Sequence, residues 1–174
     1  MKNFLVVVDM QKDFVDGSLG TKEAQAIVHN VCRKIMSFEG DIIVTFDTHS
    51  ENYLETSEGR KLPVKHCIKG TEGFGLDEKV KSALEGKGYT AVEKPTFGSV
   101  LLPEIIKEKA MGEEFTVELI GLCTDICVVS NALLIKANFP EAEISVDSSC
   151  CAGVTPDSHN SALNTMRSCQ INVM

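Results

Sequence analysis

Apolar positions along the chain follow two alternating patterns. Unbroken runs rich in Val, Ile and Phe occupy Phe4–Val8, Asp41–Phe46, Thr90–Glu93, Phe115–Ile120 and Glu143–Val146. Short continuous runs predict strands covered on both faces, because a half-exposed strand would alternate apolar with polar residues. Between these runs the apolar residues recur at steps of three and four. Ala24, Ile27, Val28, Val31 and Ile35 form one stripe, and Val80 with Leu84 marks a short helix after Asp77. Leu101, Leu102, Ile105 and Ile106 predict another helix, which tolerates Pro103 only near its first turn. Ile126, Val129, Ala132, Leu133 and Ala137 predict a strongly apolar, largely buried helix. A last helix opens near Pro156, capped by Thr155 or Asp157, and carries Ala162, Leu163 and Met166.

Strand and helix in repeated alternation predict a three-layer α/β/α domain with a mainly parallel sheet, spanning residues 1–174. Sheets of this type place ligands in a crevice beyond the carboxyl ends of their strands. Chemically capable residues should therefore follow the apolar runs, and they do. Asp9 follows the first, Asp47-Thr48-His49 the second, Lys94 the third, and Gly121 through Cys127 the fourth. The long stretch from His49 to Leu76 has no repeat and little periodicity, and a connection of that length is usually functional. Its Pro63, Lys65, His66, Cys67 and Gly70 suggest an ordered loop over the active site.

Composition narrows the partners. Seventeen Lys and Arg against twenty-five Asp and Glu give a formal net charge of −8 in 174 residues, which argues against nucleic acid or an anionic membrane as partner. The first apolar run is too short to span a bilayer or form a signal-peptide core. Seven cysteines show no disulfide-framework rhythm. They predict reduced thiols in a cytoplasmic protein, with Cys32 and Cys169 as small core residues and the adjacent Cys150 and Cys151 unpaired.

Cys127 stands at the opening of the predicted buried helix. A thiol there meets the positive end of the helix dipole, which favours thiolate, and backbone N–H groups nearby can stabilise an oxyanion. A core thiol fits the same segment, and Cys123 and Cys127 are spaced wider than a Cys-x-x-Cys metal knuckle. Asp9, at a strand end, can take the thiol proton, or can serve only as a turn residue. Lys94, at another, would lower the thiol pKa, or is simply solvated. In extended chain, residues two apart point the same way, so Asp47 and His49 can share one ion, with His66 as a second imidazole. Glu58 is a weaker fourth candidate and Glu55 weaker still; His29 and His159 look structural.

Together these pieces resemble the isochorismatase-like cysteine hydrolase superfamily over nearly the whole chain. The matching motifs are Asp9-x-Gln11-x-Asp13-Phe14, Lys94 after the third strand, and Gly121-x-x-Thr124-Asp125-x-Cys127-Val128. The resemblance implies a triad of Asp9 as base, Lys94 as thiolate and oxyanion support, and Cys127 as nucleophile. It also implies a cis peptide between Leu122 and Cys123, with the Cys123 and Cys127 amides forming the oxyanion hole. Asp47, His49 and the Pro63-to-Cys67 segment bearing His66 look like the metal set of the nicotinamidases, with Glu58 as an additional carboxylate. The implied ion is zinc, with iron or manganese as alternatives, and Phe14 and Phe97 would line a ring pocket. The implied reaction converts nicotinamide or a close aromatic amide to the acid and ammonia in a homo-oligomer, a dimer or tetramer. Several departures bear on the substrate more than on the reaction. There is no Trp, Leu62 precedes Pro63, and Pro95-Thr96-Phe97 follows Lys94 where a Tyr- or Ser-rich stretch is common. The alternatives are a metal-independent hydrolase of another small amide or ureido compound, and a catalytically silent member that binds a ligand or scaffolds an oligomer. A Cys123–Cys127 redox pair is disfavoured by its spacing.

Overall fold

A computed structural model describes residues 1–174. The chain runs β1 (Lys2–Val8), α1 (Lys12–Val15), α2 (Lys22–Ser37), β2 (Asp41–Asp47), α3 (Ser57–Lys61), α4 (Glu78–Leu84) and β3 (Thr90–Lys94). It continues through α5 (Leu101–Ala110), β4 (Phe115–Leu122), α6 (Val129–Asn138), β5 (Glu143–Ala152), α7 (Pro156–Ser168) and β6 (Asn172–Val173). The six strands form one sheet in the order β3-β2-β1-β4-β5-β6. Every adjacent pair is parallel. The α/β layering expected from the alternating runs is therefore present, with one addition: β6, two residues long, has too little pattern to be read in advance.

The apolar run of β1 shows why no polar residue alternates within it. Leu5 and Val7 point into a core shared with α2 and α4, while Phe4, Val6 and Val8 enter a second core with α5, α6 and α7. All five are fully buried. Each such side chain contributes roughly 1.5–3 kcal/mol on leaving water, so the central strand is anchored from both sides.

Gly121 admits β4 beside β1. Its φ of +116° lies in a region that L side chains rarely adopt, and a Cβ there would sit 2.1 Å from the Val8 carbonyl oxygen. Gly121→Ala should destabilise the protein by about 3 kcal/mol, read as a lower urea midpoint with an unchanged slope.

Two expectations need correction. The apolar segment after β4 begins as a single π turn over Thr124–Val128 and becomes α-helical only from Val129. Within α6 only Asn131, Ala132 and Ile135 are buried, because the helix lies on the sheet with one face and leaves Leu133 and Leu134 partly accessible. Cys169 is exposed at the end of α7 and is not a core residue. All seven cysteines are free, including Cys150 and Cys151. No helix is long and apolar enough to cross a membrane.

Candidate active site

The carboxyl ends of β1, β2, β3 and β4 bring the three expected groups together. Lys94 is 1% exposed, and its Nζ lies 2.6 Å from Asp9 Oδ2, 3.4 Å from Cys127 Sγ and 3.7 Å from Asp47 Oδ1. It also donates to the Thr96 carbonyl at 3.2 Å. An ammonium this deep is held charged by its partners: burial opposes the charge, but Asp9, Cys127 and Asp47 outweigh it and raise the amine above its usual 10.5.

Asp9 leaves β1 at φ +47°, a strained conformation for a residue other than glycine. The backbone is caught from β2: Asp9 N donates to Thr45 O and Oγ1, and Thr45 Oγ1 donates to Asp9 Oδ1 at 2.6 Å. Oδ2 lies 2.6 Å from the Lys94 ammonium, and a carboxylate oxygen bonded once keeps a second lone pair that can accept a thiol proton. Burial raises the Asp9 carboxyl above its ordinary value, and Lys94 pulls it back down. Because Thr45 also lowers it, Thr45→Val should move the acid limb of kcat/KM to higher pH, since the Asp9 carboxylate then loses its charge sooner. Thr45→Ser should restore the limb.

Cys127 is 5% exposed in the π turn. Burial pushes the thiol well above 9, the neighbouring Asp9 adds to this, and Lys94 pulls it back down. Asn131, fully buried on α6, donates to the Cys127 and Phe97 carbonyls at 2.8 and 3.2 Å and accepts from Ser99 N at 2.9 Å, tying the cysteine turn to the β3–α5 loop. The peptide between Leu122 and Cys123 is cis. Burial pushes the Cys123 thiol up to about 12.

Asp47, His49 and His66 converge beside this triad, with their ligand atoms all within 4.8 Å of one another. Asp47 Oδ2 lies 3.0 Å from His49 Nε2 and 3.3 Å from His66 Nε2, and Glu58 Oε1 lies 3.6 Å from both imidazole nitrogens. Zinc bonds of about 2.0–2.2 Å put tetrahedral donors about 3.4 Å apart, so Asp47 and the two imidazoles are spaced as ligands of one ion, with Glu58 close to both imidazoles. His66 Nδ1 lies 2.8 Å from the Val64 carbonyl, which makes Nδ1 the protonated nitrogen and turns Nε2 toward the cluster as a lone-pair donor. Burial alone would raise Asp47, but His49, His66 and Lys94 hold it well below the usual carboxylate range. The donor set therefore fits a divalent ion. Glu55 is exposed.

A cavity of about 160 Å³ opens onto both groups. It is lined by Cys123, Cys127, Asp47, Glu58, His66 and a wall of Phe14, Leu19, Leu62, Phe97, Ile126 and Val154. An apolar cavity of about 150 Å³ takes a single benzene ring. Phe14, packed at 5.4 Å on the His66 ring, and Phe97 both line the cavity.

Sequence reasoning missed Tyr53, which is fully buried between the imidazoles, its ring centre 4.7 Å from His49 and 4.9 Å from His66. His159, read as structural, lies on α7, and its Nδ1 meets Thr124 Oγ1 at 2.7 Å next to the cysteine turn. The signal available for Tyr53 was a large aromatic residue within the His49–Leu76 loop, where solvent exposure would make it costly.

Comparison with known proteins agrees with this geometry. The model of the isochorismatase domain matches residues 3–174. The chain belongs to the isochorismatase family. A Bacillus subtilis protein named as an uncharacterized isochorismatase family protein, PncA, is 32% identical over 148 residues, which is 76% of this chain and 78% of that one. The pyrazinamidase/nicotinamidase of Streptococcus mutans superposes with a TM-score of 0.85 at 26% identity, covering 99% of this chain and 100% of that one. A Pyrococcus horikoshii pyrazinamidase in complex with zinc gives 0.81 at 25% identity, over 100% and 99%. The N-carbamoylsarcosine amidase of Thermoplasma acidophilum gives 0.78 at 26% identity, over 99% and 95%.

Proposed function

We propose that this chain hydrolyses nicotinamide, or a close aromatic amide, to the acid and ammonia through a thioester on Cys127. Family membership and the nicotinamidase-like structures make it an amidohydrolase. The observation that carries the substrate class is a one-ring apolar cavity lined by Cys127 of the thiol–carboxylate–ammonium triad and by Asp47, His66 and Glu58 of the candidate donor set.

Asp9 Oδ2 takes the Cys127 proton as the sulfur attacks the amide carbon. The Cys123 and Cys127 amides hold the oxyanion, and Lys94 stabilises the charge that develops on sulfur and oxygen. Asp9 then gives the proton to the departing nitrogen, which leaves as ammonia. Water, deprotonated by the same carboxylate, cleaves the thioester and frees the thiol. Asp47, His49, His66 and Glu58 would hold a divalent ion, zinc ahead of iron or manganese, which supplies a Lewis-acid contact for a ring nitrogen when bound. Phe14 and Phe97 keep the ring in a dry slot. We place the enzyme in the cytoplasm, in line with its free thiols, and propose that it is a homo-oligomer.

Ammonia release from nicotinamide, pyrazinamide and benzamide, before and after dialysis against a chelator, tests this reading. Nicotinamide and pyrazinamide should be turned over faster than benzamide, which has no ring nitrogen, and chelation should remove that preference. Readdition of zinc should restore it. Full activity of the chelated enzyme on a ureido compound, with none on the pyridine amides, would instead support a metal-independent hydrolase.

A further inference from the structure

The segment that follows β1 carries two polar residues that the reaction does not use. Gln11 is fully buried, and its amide closes around the backbone of Asp47 from both sides. Its Oε1 accepts from Asp47 N at 2.8 Å, and its Nε2 donates to Asp47 O and to Phe74 O, each at 2.9 Å. All of its hydrogen-bonding capacity along that edge serves one residue and the loop opposite.

Asp13 does the same for the other half of the donor set. Its Oδ2 accepts from Cys67 N at 2.8 Å, and its Oδ1 accepts from Ser18 N at 3.3 Å. Cys67 follows His66 directly and sits at φ +47°, a conformation that a non-glycine residue keeps only when its surroundings impose it. The imposition is visible: Asp13 holds the Cys67 N–H, and the Cys67 carbonyl accepts from His49 N at 3.0 Å. The carboxylate is itself enclosed, since a Cβ on Gly73 would lie 2.1 Å from Oδ2 and one on Gly17 2.5 Å from Oδ1.

We propose that Gln11 and Asp13 are positioning residues for the metal donor set, Gln11 fixing the backbone of Asp47 and Asp13 that of the turn bearing His66. One short segment thus supplies the proposed base, Asp9, and steadies the two chain segments that carry the donors. Neither residue need touch ion or substrate. The proposal rests on the metal reading of the Asp47, His49, His66 and Glu58 cluster.

The test measures zinc affinity of the full chain by competition with a chromogenic chelator, for wild type, Gln11→Leu, Asp13→Ala and Asp13→Asn. Groups that orient metal ligands change affinity by about 10–100-fold, so the zinc Kd of Gln11→Leu and Asp13→Ala should rise by at least about 10-fold. Asp13→Asn keeps an acceptor for the Cys67 N–H and should stay within about 3-fold of wild type. The iodoacetamide alkylation rate of Cys127 in the zinc-free proteins should remain within about 2-fold throughout, because the triad does not depend on the clamp. A folded Gln11→Leu or Asp13→Ala protein with wild-type zinc affinity overturns the proposal. So does a parallel change in Cys127 alkylation, which would mark a general loss of structure. If Gln11→Leu fails to fold, the Asp13 pair decides alone: equal affinities for Ala and Asn overturn it. A wild-type chain that retains no zinc overturns the metal reading itself, and this is separable because it appears before any substitution is made.

Discussion

Cys127→Ala should yield a folded protein that releases no measurable ammonia from nicotinamide. Removing the nucleophile of a cysteine or serine hydrolase lowers kcat by about 10⁶, because the remaining groups act only with it. Here the loss should be as complete. Asp9 Oδ2 would have no thiol proton to accept, and Lys94 would have no sulfur at 3.4 Å to stabilise. The fold should survive, since the substitution removes only the sulfur from a second-core residue that also borders the cavity. Its unfolding midpoint should lie within a few degrees of wild type, on the order of 1 kcal/mol. Ammonia release near the wild-type rate would sink the assignment of Cys127 as nucleophile.

The second large effect concerns Lys94. Lys94→Met keeps a similar volume but strips Asp9 of its only cation, and breaking a buried ion pair in this way costs about 3–5 kcal/mol. Turnover should be lost as well. The pH dependence follows from the direction of each shift. The Lys94 amine is held above 10.5 in the fold, so its contribution is fully present below 10.5 and disappears as pH rises through the folded value. Asp9 titrates above 3.8, and without Lys94 it should titrate higher still. The deficit of Lys94→Met should therefore be largest at neutral pH and shrink as pH falls and Asp9 takes up its proton. Urea midpoints at pH 7 and pH 5 read this out; an equal deficit at both would show that Asp9 is not the stranded charge. Adding Asp9→Asn to Lys94→Met should recover part of the lost stability at pH 7, with activity still absent.

How far the sequence could be read depended on whether the relevant physics was local. The Phe4–Val8 run predicts a strand covered on both faces, and two cores do receive its alternate side chains. The strand-end rule located Asp9, Asp47 and Lys94 before any contact was known, and the two-residue spacing of Asp47 and His49 does bring their side chains to 3.0 Å. Glu58 was a weaker candidate than Asp47, His49 and His66 on spacing alone, yet it stands equidistant from both imidazoles. What could not be read depends on distant partners. Thr45 and Gln11 act across 36 residues, and Asp13 across 54. The π turn that carries Cys127 leaves no periodic trace in five residues. The burial that raises that thiol, and the ammonium that opposes it, likewise come from residues distant in sequence.

The register of the central strands has a consequence for synthesis. Lys2 pairs with Phe115 and Val8 with Gly121, so β1 gains its second neighbour only once β4, more than a hundred residues later, has been made. The proposed base is synthesised well before the thiol it would deprotonate, which follows β4. A chain emerging from the ribosome should therefore carry no hydrolytic activity and an ordinary, solvent-reactive Cys127 until both central strands have met. Onset of ammonia release would then serve as a clock for closure of the sheet, and labelling of Cys127 by a thiol reagent should slow at that same moment.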